Sequence, residues 1–521
     1  MELKVIYKNA RCAVLELADG GIYHTKSSWN IYLDQKLAAV TDKVITSLYH
    51  LAPDTEYEVM AENESGDCIM TYFSTSREFV TLNVKDFGAK GDGENDDTIF
   101  IQAAIMACPK ESRVLVPAGV YRISSLFLKD DVSLELDEGA VLSAFTDRAK
   151  FPVFKGMIQS YNEKNEYNLG TWEGNPLPMF TAVVTGVNVK NVTIYGQGII
   201  EGNAGFEEDN WWHLPKVMRG AYRPRMLFLE RCENVVVQGI KVQNSPSWNL
   251  HPYFSDHLRF LDLQVINPKV SPNTDGLDPE SCRDVEIAGV YFSLGDDCIA
   301  LKSGKIYMGS TYKRPCEDVT IRQCCMRDGH GSVTIGSEMA GGVKKLTVRD
   351  CLFLETDRGL RIKTRRGRGK DAVVQGILFE NIRMDHVRTP FVINCFYFCD
   401  PDGHTEYVRS KEAGPVDERL PEIKKLTFRN IEASNCHVAA AYMYGLPEKK
   451  IERVVMSHVH VTYAKDAQAG QPAMMEGCDE QTCRQGIYAN NIEELELHDV
   501  NIEGQAGLDI EAENIGVYVR D

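Results

Sequence analysis

The sequence holds no apolar run near the roughly 18 residues that a membrane-crossing helix needs. Its opening, MELKVIYKNARCAVLELADGG, lacks a basic stretch followed by an apolar one and a small-residue cleavage site, so the expectation is a cytoplasmic protein, secreted only if a leader has been trimmed. The 15 cysteines are odd in number and form no CxxC pairs of the metal-binding kind, which excludes the common zinc modules and points to buried, reduced thiols. Net positive charge is also missing: 57 Lys and Arg face 75 Asp and Glu, for a formal charge of −18. That balance excludes non-specific attraction to nucleic acid or an anionic membrane. With 43% hydrophobic and 25% charged residues, the chain has the material for a large core, and disorder is excluded.

At 521 residues the chain is too long for one ordinary domain, although a repeat fold whose core grows along an axis escapes that limit. Residues 1–78 carry short alternating runs such as CAVLEL, YEVMAENE and CIMTYFST between turn residues, the pattern of a small β-sandwich. Within LAPDTEYEV, Leu51, Pro53, Thr55 and Tyr57 resemble the corner of a fibronectin type III domain, where a tyrosine hydroxyl ties a strand to the preceding loop. A second unit, 79–521, opens on a Gly-rich acidic turn ending at Asp96 and Asp97. These are helix-capping residues, and Ile99, Ile101, Ala104 and Ile105 after them suit one short amphipathic helix. From about Val189 a single pattern returns: NVTIYGQGIIEG, NVVVQGIKVQNS, DVEIAGVYFSLGDD, DVTIRQCCMRDGHG, KLTVRDCLFLETDRG. Strand, turn, strand at intervals of roughly 23 to 49 residues is the signature of a stacked solenoid, best fitted by an all-β, right-handed parallel β-helix whose open end the helix would cap.

Consecutive repeats then carry four motifs that stacking would bring to one face: NTDG (Asn273 to Gly276), GDD (Gly295 to Asp297), GHG (Gly329 to Gly331) and RIK (Arg361 to Lys363). Asp275, Asp296 and Asp297 supply carboxyl groups of the kind that cleaves a glycosidic bond, one protonating the leaving oxygen and another activating water. Three clustered carboxylates cannot all ionise cheaply in a partly dehydrated cleft, so one would hold a proton near neutral pH. Alone, the adjacent Asp296 and Asp297 would also suit a solvated turn or a calcium site.

These four ordered motifs resemble those of the polygalacturonases, glycoside hydrolase family 28, over the chain from about Val84 onward. The resemblance implies hydrolysis of α-1,4-galacturonosyl bonds with inversion, without a metal or other cofactor. It implies that Asp296 is the acid, that Asp275 and Asp297 hold the water and that His330 tunes the acid. It places Arg361 and Lys363 on the substrate carboxylate. Those two alternate on one strand and project from one face, with Ile362 turned inward.

The run DRGLRIKTRRGRGK gathers seven basic side chains. Arg358, Arg365, Arg366, Arg368 and Lys370 read individually as a solvated loop or nucleic-acid patch, and together as a field that could draw in a polyanion. Further candidate substrate contacts are Lys302, which a salt bridge could equally explain, His251 near Trp248, and Tyr397, placed where the family often has a sugar-binding tyrosine. Trp211 and Trp212 could stack on a sugar or cover the end of the solenoid. The segments Asp147 to Phe180 and Phe206 to Arg225 fall outside the strand pattern and would wall off one end of a cleft, which with the N-terminal module resembles exo-acting bacterial members. The partner is therefore a galacturonan or oligogalacturonide, with no nucleic acid or membrane and an open oligomeric state. The alternatives are a rhamnogalacturonan or xylogalacturonan hydrolase, a calcium-dependent pectate lyase, or a non-catalytic glycan binder.

Overall fold

The structure is a computed structural model that describes residues 1–159, 166–475 and 481–521. The N-terminal alternation forms seven antiparallel strands: β1 (Glu2–Lys8), β2 (Ala13–Ala18), β3 (His24–Leu33), β4 (Lys36–Lys43), β5 (Ile45–Leu48), β6 (Glu56–Asn63) and β7 (Cys68–Ser74). Sheets β1-β2-β5 and β4-β3-β6-β7 close over Leu15, Trp29, Ile31, Val59 and Phe73. At the start of β6 the Tyr57 hydroxyl accepts the Ala52 N–H at 2.8 Å, the tie expected of that corner. So small a sandwich buries little surface by itself. It shares a core with the solenoid, where Val14, Val44 and Ile45 pack on Val236, Leu261 and Ala288. Lys43 and Ser47 both donate to Asp262, at 2.7 and 2.6 Å, and Arg322 spans Glu16 and Glu286, at 2.6 and 3.0 Å.

Helix α1 (Thr98–Ala107) closes the first coils with Ile101, Ala104 and Ile105, all fully buried. Ile99, expected on the same face, is 70% exposed, because residues two apart point to opposite sides of a helix. Asp96 caps the helix by accepting the Thr98 N–H at 3.1 Å. Asp97 does not cap it; its carboxylate turns back to the Lys90 and Gly91 N–H groups, at 2.6 and 2.9 Å.

The rest is a right-handed parallel β-helix, the hand that parallel crossovers adopt. It starts at Thr81–Asn83, which pairs with Arg113–Val116, well before the repeats become legible near Val189. Val192, Val235, Leu258, Val285, Val319 and Leu346 stack in register as one inward ladder. The residue before each, Asn191, Asn234, His257, Asp284, Asp318 and Lys345, has a positive φ. Asn and Asp tolerate that conformation best, which is why most repeats open on Asn-Val or Asp-Val.

A second stack forms the floor of a cleft: Leu227–Glu230, Leu250–Tyr253, Ile299–Leu301, Val333–Gly336, Arg358–Lys363 and Thr389–Asn394. Leu250, Leu277, Ile299, Val333, Leu360 and Phe391 point inward. The next residue on each coil points outward: His251, Asp278, Ala300, Thr334, Arg361 and Val392.

Candidate active site

The turns leading into three neighbouring floor strands carry Asp275, then Asp296 and Asp297, then His330. Backbone bonds hold the turns in step: Gly276 N–H donates to the Asp297 carbonyl at 3.0 Å, and His330 N–H to the Asp296 carbonyl at 3.0 Å. Carboxylate oxygens of the three aspartates come within 4.8 Å of one another. The glycines beside His330 permit this packing. A Cβ on Gly331 would lie 2.8 Å from the Asp297 carboxylate, and one on Gly329 would lie 2.6 Å from the Asp296 carbonyl.

Environment separates the three acids. Asp297 is 1% exposed, with one oxygen taking Arg361 Nη1 at 3.1 Å and the other Lys363 Nζ at 2.7 Å. Burial opposes its ionisation, but Lys363 and then Arg361 outweigh burial and hold the carboxyl well below the usual range. Asp275 moves the opposite way: burial, then the charges of Asp296 and Asp278, push it well up, against the pull of Lys302. Asp296 is the most accessible of the three and meets His330 Nδ1 at 3.2 Å. That hydrogen bond, ahead of the opposing effect of burial, raises the His330 pKa. This donor set does not fit calcium, because both Asp297 oxygens already serve protein cations and a hard cation needs six to eight oxygens.

The remaining sequence candidates fall in three places. Tyr397 lines a small cavity with Arg361 and Lys363, the Lys363 ammonium 5.5 Å from its ring centre, while Phe396 turns into the core. Lys302 is not open to a sugar: at 3% exposure it binds Glu338 at 3.1 Å, approaches Asp275 to 3.8 Å and lies over Trp248 at 4.2 Å. His251 is not a surface contact either. It is 0% exposed, bonded to Glu280 at 3.0 Å and packed edge-on to Trp248, so burial, then Arg225 and Lys302, keep it neutral. Trp211 and Trp212 are core residues, Trp211 lying between Phe151 and Phe180.

The model of Glycosyl hydrolases family 28 matches residues 138–483. The chain belongs to that family. A probable polygalacturonase of Vitis vinifera is 29% identical over 406 residues, 76% of this chain and 77% of the relative. An exo-poly-alpha-D-galacturonosidase of Dickeya chrysanthemi is 25% identical over 406 residues, 68% of this chain and 63% of the relative. Among solved structures, the family 28 exopolygalacturonase of Yersinia enterocolitica superposes with a TM-score of 0.74 at 18% identity, covering 99% of this chain and 98% of that one. This likeness concerns the fold.

In this family 28 chain, sequence reasoning missed the residues that close the cleft. His251, Asp278 and Glu280 project from the floor, yet all three are 0% exposed. Arg225, itself fully buried, lies over them between Trp172 and Trp248, 4.9 and 5.0 Å from their rings, and donates to the Thr171 carbonyl at 3.1 Å. Arg223 grips Asn273 of NTDG at 2.7 Å and the carbonyls of Pro246 and Pro272. Burial and then its neighbour Arg225 lower the Arg223 pKa to about 9. Trp172 stacks on Tyr222 at 4.6 Å, joining the two insertions, and the Gly174 carbonyl accepts the Lys305 N–H at 3.0 Å, tying the first insertion to the chain just after Lys302. Residues 160–165 of the first insertion lie outside the described residues.

The basic run turns out to be mostly scaffold. Arg365 and Arg368 share Asp400 at 2.8 and 3.0 Å, and Arg366 binds Glu448 at 2.5 and 2.8 Å plus three carbonyls, all three arginines being buried. They pin the segment after Tyr397 instead of forming a solvated patch. Only Lys370, paired with Glu418, is exposed among them.

Proposed function

We propose that this protein hydrolyses α-1,4-galacturonosyl bonds with inversion, removing sugars from one end of short galacturonan chains. The observation that carries the end-acting part is the sealed floor: three outward-facing residues lie covered by a wall whose Arg223, Arg225 and Trp172 come from the insertions. A long chain cannot run through that end.

The chemistry follows from the separated acids. Asp297 is locked in its ionised form by two cations, which leaves Asp275 and Asp296 for the acid and base roles. With the proton on Asp296, the accessible member can protonate the glycosidic oxygen as the C–O bond breaks. Asp275, then ionised but poorly solvated, is a strong base for the water that attacks the anomeric carbon. One proton leaves the acid, one reaches the base, and solvent restores the starting state. The carboxyl oxygens are closer than the roughly 6.5–9.5 Å common to inverting enzymes, so inversion rests on family membership. Arg361 and Lys363 keep donors beyond those given to Asp297, with which to hold the substrate carboxylate.

Incubation with trigalacturonate and with polygalacturonate tests this. Monogalacturonate should appear from the first time points, in the β-configuration by NMR, with little loss of viscosity. Rapid thinning at low conversion would overturn end action, and an ultraviolet-absorbing unsaturated product would overturn hydrolysis. Every described cysteine is a free thiol, most of them buried, which supports a reducing compartment and imported oligosaccharides as substrate.

A further inference from the structure

Apart from the exposed Lys370, one cation of the basic run belongs neither to the scaffold nor to the site so far described. Arg358 opens the strand that carries Arg361 and Lys363, and its side chain is nearly buried. It donates to the Gln471 carbonyl at 2.8 Å, and its ion-pair partner Asp357 stands 3.9 Å away, beyond hydrogen-bond reach. Burial, and then the charge of Arg361, lower its pKa to about 10. Arg358, Arg361 and Lys363 line one cavity together with Asn394 and Tyr397. Among the described residues, Asp297, held by Arg361 and Lys363, and Asp357, a loose ion-pair partner of Arg358, supply two negative charges against these three positive ones. Concentrated, under-compensated cations in a dry pocket are costly unless a ligand brings the missing anion. The cavity holds about 10 Å³, room for one water or one carboxylate oxygen and not for a sugar ring. It reaches toward the Thr389–Asn394 coil, on the side of the aspartates away from the wall.

We propose that Arg358 binds the carboxylate of a second uronate, the next sugar along the chain from the one that Arg361 and Lys363 hold, on the side away from the wall. This makes Arg358 a substrate-binding residue that grades chains by length. It rests on the galacturonan reading above.

The test is equilibrium binding of di- and trigalacturonate to the Asp296→Asn protein by calorimetry, with Arg358 intact, as Arg358→Gln and as Arg358→Lys. Only the trisaccharide has the extra uronate. Arg358→Gln should weaken trigalacturonate roughly tenfold, the scale of one charged hydrogen bond, and leave digalacturonate unchanged, with Arg358→Lys recovering most of the loss. Equal weakening of both sugars would overturn the proposal, since it would mean that Arg358 merely holds the Gln471 segment. No weakening of either would also overturn it. If the Asp296→Asn protein with Arg358 intact bound neither sugar, the galacturonan reading itself would fall.

Discussion

The two ends of the cleft floor are built from the same kind of material and finished in opposite ways. At the walled end, Asp278 and Glu280 are buried beneath Arg225 and beside Lys302, so protein cations cover protein carboxylates. At the other end, Arg358, Arg361 and Lys363 outnumber their two carboxylate partners among the described residues, Asp297 and the more distant Asp357. The first arrangement is roofed over and left short on its acidic side, neither Asp278 oxygen finding a hydrogen bond, and so has no place for a charged sugar, whereas the second is complete only when a polyanion arrives. Position along the solenoid alone does not make a subsite; the sign of the uncompensated charge does.

The contrast is broken most severely at its cationic end. Lys363→Met should lower kcat/KM roughly a hundredfold, because it removes a contact to substrate and a partner of Asp297. Asp297 is ionised in the folded protein because its pKa is held down. Losing one of the two cations must raise that pKa, so the acidic limb of the kcat/KM profile should move to higher pH. A limb that stays in place would show that Lys363 does not govern Asp297.

Next in size is the wall. Trp172→Ala deletes the ring that stacks on Tyr222 and faces Arg225, and should cost about 3 kcal/mol of stability by the usual scale for a buried aromatic. The same variant should thin polygalacturonate more for each bond cleaved, as the sealed end loosens. Destabilisation with unchanged thinning would separate the wall from end action.

How legible all this was in the sequence depends on whether a feature repeats. The ladder Val235, Leu258, Val285 and the Asn or Asp before each recur coil after coil, so the solenoid could be read directly. The aspartates and His330 could be read because short motifs sit at the same turn of successive coils. The wall could be foreseen only as two insertions. What Arg225, Trp172 and Glu338 touch is set by non-repeating loops, which carry no periodicity. His251 and Lys302 misled for a related reason: strand alternation does show that they face outward, but not that another segment covers them. The arginines 365, 366 and 368 misled because their partners Asp400 and Glu448 lie far along the chain.

A smaller effect on stability than that of the wall tests the boundary between the two ends, at the aspartates. Asp275→Asn should abolish turnover yet stabilise the fold by about 1–2 kcal/mol at pH 8, since it removes the cost of a buried charge near Asp296 and Asp278. The sign follows from linkage. A carboxyl whose folded pKa is raised gives its full stability below its unfolded pKa, near 3.9, and loses it as pH rises through the folded value. The asparagine mimics the protonated form, so the difference between variant and parent should grow with pH and vanish in acid. Denaturant unfolding at pH 4 and pH 8 reads this directly, and a constant difference would mean that Asp275 is ionised in the folded state throughout.

The smallest expected effect separates scaffold from surface within the basic run. Lys370 is exposed and bonded only to Glu418, also exposed, at 2.7 Å. Such pairs contribute little because solvent and salt screen them and two long side chains must be ordered. Lys370→Ala should therefore leave the thermal midpoint and kcat/KM unchanged at physiological salt. If instead kcat/KM on the polymer fell while that on trigalacturonate held, the run would act at long range as an attractor for polyanions. The excess cation that matters would then lie on the surface as well as in the pocket.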